Sequence, residues 1–98
     1  MIRLVEVCEV LNASNTSRQK YTLREVYINP KHVVSLREER NYKQKLEEGM
    51  LPDNLDLRQQ FTRLTLDKGH TGLEMIIVGA PQLVEQKLQG ETRDVLLG

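Results

Sequence analysis

The run VYINPKHVVSLREE, Val26 to Glu39, carries apolar chain into Asn29-Pro30, out into apolar chain again, and then into solid charge. Proline fixes its own φ and has no amide hydrogen, so Pro30 is unsuited to the interior of a paired strand. It suits the first central position of a turn, with Asn29 before it. The run therefore predicts a hairpin. One strand covers Tyr21–Ile28, Asn29-Pro30 turns the chain, and a second strand returns over His32–Arg37. Val26, Ile28, Val34 and Leu36 are the residues expected to fill the sheet.

Strand character recurs on both sides of this run. Ile2–Val10 is rich in β-branched residues with apolar side chains on both alternating faces, which predicts a central strand. Phe61–Leu66 alternates Thr62, Leu64 and Leu66 against Phe61, Arg63 and Thr65. After the turn-like DKGHTG, LEMIIV is the most apolar strand of the chain. Pro81 then suits the first position of a helix reaching Gln89, with Gly90 as its stop and Leu83, Val84 and Leu88 as its apolar stripe.

Strands followed by one terminal helix predict an α+β fold. The simplest form is a twisted antiparallel sheet of four to five strands with one C-terminal helix packed on a face. Residues 1–98 read as a single domain with two polar insertions, 11–20 and 38–60, and a tail, 91–98. Within the second insertion, EERNYKQKLEEG predicts a short charged helix with Tyr42 and Leu46 on one side and Gly49 as its stop. MLPDNLDLRQQ predicts an irregular return.

Composition narrows the function classes. Aromatic residues are 4% of the chain and Trp is absent, so the core is aliphatic and thin. A second sheet face carrying Val, Tyr and Leu leads to the expectation of a homo-oligomer. Fourteen Lys and Arg balance fourteen Asp and Glu. Coating a duplex requires a cationic surplus, so nucleic acid is a disfavoured partner. MIRLVEVCEV is interrupted by Arg3, Glu6 and Glu9, unlike a signal peptide, and no apolar run is long enough to span a bilayer. A cytoplasmic protein without a membrane partner is expected, and the single cysteine, Cys8, fits a reducing compartment.

Reactive constellations are sparse. His32 and His70 each stand alone, outside any metal-ligand spacing. Cys8 lies mid-strand, where a thiol ordinarily behaves as a small apolar group. Ser35 has no G-x-S-x-G context. DKGHTG has two glycines and a lysine but lacks the P-loop spacing and precedes a strand. No enzyme activity, cofactor or metal is expected. The densest functional signal is basic: Lys31, Arg37, Arg40, Lys43 and Lys45 cluster with Tyr42, and Arg58 and Arg63 follow. Guanidinium groups fork onto phosphate, and a tyrosine ring offers a stacking face to a base. The interleaved Glu38, Glu39, Glu47 and Glu48 also allow a plain face of surface ion pairs.

The segments IRLVEV, VYINPKHVVSL, RLTLDKG, LEMIIVG and APQLVEQKL follow one another in an order that resembles the small flagellar and swarming-motility proteins of the SwrD/FlbD type. It is also similar to small phage-encoded proteins with the same strand-INP-strand pattern. Insertions 11–20 and 38–60 lie outside the shared pattern, and the resemblance supplies no catalytic motif. It implies either an accessory protein docking on a motility or virion assembly, or a phage anti-defence protein. Taken with the residues, the expectation is a small, non-enzymatic, homo-oligomeric, phage-encoded binding protein. It would sequester an anionic nucleotide-like signal through Arg37, Arg40, Tyr42, Lys43, Arg58 and Arg63, or inhibit a host protein.

Overall fold

The computed structural model describes residues 1–10, 19–68 and 71–97. Its elements are β1 (Ile2–Glu9), β2 (Tyr21–Ile28), a 3-10 turn (Pro30–His32), β3 (Val33–Glu38), α1 (Asn41–Glu47), β4 (Phe61–Lys68), β5 (Thr71–Val78) and α2 (Pro81–Leu97). The architecture is α+β, with a five-stranded antiparallel sheet in the order β2-β1-β5-β4-β3 and two α-helices. As the sequence predicts, β1 is internal. It pairs with β2 from Ile2↔Ile28 to Glu9↔Tyr21 and touches β5 at Glu6↔Ile77 and Val7↔Ile76. The β4–β5 hairpin runs from Phe61↔Val78 to Lys68↔Thr71. Of the DKGHTG turn between these strands, Gly69 and His70 lie outside the described residues, as do residues 11–18 of the first insertion.

The expected hairpin at Asn29-Pro30 is not formed. β2 and β3 occupy opposite edges of the sheet. Following the antiparallel pairings across the sheet shows that both edge strands run in the same direction. The chain thus continues forward through the 3-10 turn instead of reversing. Pro30 takes the first helical position, where a missing amide costs nothing. The Asn29 side chain accepts the Lys31 amide at 3.0 Å, and the His32 amide donates to the Asn29 carbonyl at 3.0 Å. The same two residues that suit a hairpin turn also suit a cap and a helix start, and here they act as the latter.

This link bends the whole sheet. Laid flat, β2 and β3 would stand four strand spacings apart, about 19 Å. The connection from Ile28 to Val33, with three residues wound into a 3-10 turn, reaches only about 12 Å. The sheet curls until its edges approach. Accordingly Val26 and Ile28 of β2 pack in the same cluster as Val33 and Leu36 of β3. An irregularity in the β3–β4 register falls between Val33 and Ser35, and Val34 turns outward there. Val34 is thus exposed and not a core residue.

Two apolar clusters fill the two faces. On the concave face Leu4, Leu64, Leu66, Met75 and Ile77 meet Val84 and Leu88 of α2. Of the three residues expected in the stripe of α2, Val84 and Leu88 are buried against the sheet and Leu83 is exposed. Gly79, at φ +132°, bends the chain from β5 into this helix. Its carbonyl accepts the Thr62 hydroxyl at 2.8 Å and its amide donates to the Gln60 carbonyl at 2.9 Å. Gly90 does not stop α2: the helix continues to Leu97, and Gly90 lacks the positive φ of a helix stop.

On the convex face Val7, Tyr21, Phe61 and Ile76 are covered by Leu46 and Leu51, with Tyr42, Met50 and Leu55 packed around them. The second insertion, read from sequence as a polar excursion, is therefore the cover of this face. The apolar face on which the expectation of a homo-oligomer rested meets the chain's own segment. Gly49, at φ +79°, stops α1 as the sequence predicts. The Met50 amide donates to the Lys45 carbonyl (3.0 Å) and the Gly49 amide to the Leu46 carbonyl (3.1 Å). The Met50 carbonyl then accepts the amides of Lys20 (2.9 Å) and Tyr21 (3.1 Å), tying the insertion to the start of β2.

Leu51→Ala empties a site that is 2% exposed and is expected to lower unfolding free energy by about 2–5 kcal/mol in urea titration. Gly90→Ala, in a helix interior with open space around the added methyl, is expected to raise it by about 0.5–1 kcal/mol and to increase Tm.

Candidate functional site

Of the six side chains singled out from sequence, Tyr42 and Arg63 are half-buried, and Arg37, Arg40, Lys43 and Arg58 are exposed. Tyr42 is half-buried: its ring lies 5.4 Å from that of Tyr21, edge to face, and 6.2 Å from that of Phe61. The Lys45 ammonium stands 4.3 Å from the Tyr42 ring centre and donates to the Tyr21 hydroxyl at 2.8 Å. That hydrogen bond raises the pKa of Lys45, and burial raises the pKa of the Tyr42 phenol. The ring is thus half-buried against the convex-face cluster, with Lys45 over it, and is not a free stacking platform.

Arg63 is held by two carboxylates. Its Nε donates to Glu39 at 2.7 Å, and its terminal nitrogens reach Glu39 and Glu74. Arg37 lies opposite Arg63 across the β3–β4 ladder and is exposed. Arg40 is exposed at the start of α1, 3.5 Å from Glu38, and Lys43 is exposed on the same helix. Arg58 is set apart, in the return from the insertion. Its amide donates to Asp56 at 2.7 Å, and its guanidinium pairs with the same carboxylate at 3.2 Å.

Glu39, a buried acid amid this basic cluster, is the exception to a simple solvated face. Burial opposes its charge, but the Arg63 guanidinium, the Asn41 amide at 3.1 Å and the charge of Arg37 together outweigh that. Its carboxyl is held below the ordinary value. Glu39 thereby caps the start of α1 and clasps it to β4 through Arg63. The arrangement positions the convex-face cover.

Elsewhere, the Cys8 thiol is half-buried and its pKa is pushed up by burial and the charge of Glu6, with Arg24 opposing. That makes it a poor thiolate. His32 is exposed beside the 3-10 turn.

A recess lies where the curl brings the end of β2 over the β4–β5 hairpin. It has a volume of about 340 Å³. Ile28, Leu66 and Met75 are its buried floor, and Val26 is half-buried beside them. Met1, Tyr27 and Leu73 form an apolar rim, with Tyr27 62% exposed. Asn29, His32 and Asp67 supply its polar edge. The Asn29 carboxamide oxygen is occupied by the Lys31 amide. Few polar groups set at the edge of a mostly apolar hollow are the usual make-up of a small-ligand site.

Protein-family models, curated proteins and solved structures gave no match to the chain.

None of the recess residues belongs to the cluster singled out from sequence. Tyr27, Leu73 and Met75 read there as ordinary strand residues, and His32 as a solvated turn. The available signal was the alternation of β2, which places Tyr27 on the face opposite Val26 and Ile28. Only the curl shows that all three reach one hollow.

Glu39→Gln tests the clasp. A carboxyl whose folded pKa is depressed contributes stability above the unfolded value, near 4.5, and loses it as pH falls through the folded value. At pH 7 the substitution is expected to cost of order 1–2 kcal/mol, the partial exposure of Arg63 keeping the loss below that of a sealed pair. The gap between the variant and the parent is expected to close below pH 4.5 in denaturation curves measured across pH.

Proposed function

We propose that this is a non-catalytic binding protein that holds a small, mainly apolar ligand in the recess between β2, the 3-10 turn and the β4–β5 hairpin. The observation that carries this reading is the pairing of a buried apolar floor, Ile28, Leu66 and Met75, with exposed apolar side chains at its edge, Tyr27 and Leu73. Large apolar groups left at the lip of a hollow mark a surface that something covers.

A protein that binds without transforming its ligand acts by withholding it or by changing what it docks on. Both roles remain compatible with the phage or motility resemblance. The anionic-signal version has less support, since Arg63 and Arg58 are paired with carboxylates and Tyr42 is half-buried against Tyr21 and Phe61.

A second reading, an accessory protein docking on a larger assembly, is favoured by one observation. Leu83 is 57% exposed at the edge of a broader hollow of about 500 Å³ between α2 and the ends of β1 and β5.

Amide chemical-shift mapping of the full chain with an aromatic fragment library separates these readings. The expected shifts fall on Val26–Asn29 and Leu73–Met75, and Tyr27→Ala weakens binding at least fivefold without changing Tm. Shifts confined to residues 37–43 with nucleotides, or to Leu83 and its neighbours, or no shift at all, would overturn the assignment.

A further inference from the structure

We infer that two copies of this chain join along the open edge of β2, in an antiparallel pair centred on Val26. The expected homo-oligomer thus returns through a strand edge and not through an apolar face. Two hydrogen bonds fix which backbone groups of β2 face outward. The Val10 amide donates to the Lys20 carbonyl at 2.9 Å, whereas the Tyr21 amide turns away from β1 to the Met50 carbonyl at 3.1 Å. Direction alternates along an antiparallel ladder. Thr22, Arg24, Val26 and Ile28 therefore bond to β1, and Leu23, Glu25 and Tyr27 turn their amides and carbonyls outward. No strand pairs with this edge, and among the described residues nothing bonds those outward groups.

An unpaired edge is a template for another extended chain. Register makes that chain a second β2. About a two-fold axis, pairing centred on Arg24 opposes Arg24 to Arg24, and pairing centred on Glu25 opposes Glu25 to Glu25, each a like-charge contact. Centring nearer either end sets the open groups against Tyr21, whose amide is taken, or against Asn29, beyond the strand. Centring on Val26 opposes Val26 to Val26, Arg24 to Ile28 and Glu25 to Tyr27, with no like charges met. Both Glu25–Tyr27 pairs then exchange their N–H···O bonds. Tyr27, 62% exposed in one chain, and the half-buried Val26 both line the recess, so the pairing sets a second copy at its lip. The other edge, β3, is broken by the irregularity between Val33 and Ser35, which blunts it against such pairing.

The test reads mass and register on the full chain at pH 7. Sedimentation equilibrium is expected to give twice the 11.3 kDa of one chain. Glu25→Pro removes an outward amide and no bond to β1, a position where an edge strand accepts proline. It is expected to raise the dissociation constant of the dimer at least tenfold, with the circular dichroism spectrum retained. Val26→Cys is expected to form an inter-chain disulfide under a mild oxidant, since opposed residues of a non-hydrogen-bonded pair stand about 4.5 Å apart. Arg24→Cys is expected to form none above the background that Cys8 gives in the parent. A single-chain mass at about 0.1 mM protein, or a dimer untouched by Glu25→Pro, would overturn the pairing at β2. A disulfide at Arg24→Cys in preference to Val26→Cys would overturn the register. If the proline variant unfolds, the cysteine variants decide: no disulfide at Val26→Cys above the parent background overturns the pairing.

Discussion

A four-residue link between the two edge strands governs this molecule. Because β2 and β3 run the same way on opposite edges, the chain has to cross the open side of the sheet between Ile28 and Val33. A 3-10 turn begun by Pro30 and capped by Asn29 is short and stiff, so the sheet meets the link by curling. Curling makes one face concave, which suits a single helix as cover, and it lifts the end of β2 over the β4–β5 hairpin. The recess proposed as a binding site is a by-product of that geometry.

The convex face poses the opposite problem. Its apolar residues cannot be closed by curvature and need an added layer, which α1 and the return 50–60 provide. A layer of this kind has little secondary structure of its own, so its position depends on specific ties. The Met50 carbonyl accepts two amides from the start of β2, and Glu39 joins the start of α1 to Arg63. Of the charges that read as a ligand grip, Arg63 thus fastens this cover through Glu39, while Arg37, Arg40, Lys43 and Arg58 remain exposed.

The fold class, the internal position of β1, the β4–β5 hairpin and the stop of α1 at Gly49 were all legible in sequence, because each follows from local period or local backbone chemistry. The failures share one cause. Asn29-Pro30 has the same local signature for a reversing turn as for a capped helix start, and only the pairing partners decide between them. Gly90 stops a helix if it adopts positive φ and merely weakens one if it does not. Tyr42, Leu46, Met50, Leu51 and Leu55 are spread among charged residues, so their common face is visible only once the sheet lies beneath them. The recess was illegible for the same reason: Tyr27 is remote in the chain from Asp67 and Met75 of the β4–β5 hairpin, and its arrival beside them depends on the curl.

The junction of β1 with β5, limited to Glu6↔Ile77 and Val7↔Ile76, divides the sheet into a two-stranded ribbon and a three-stranded meander. Backbone pairing across that seam is the weakest mechanical joint in the sheet, while α2 and the insertion clamp it from either side. Pulling the N-terminal ribbon away would therefore shear two small packets that each keep their own ladders.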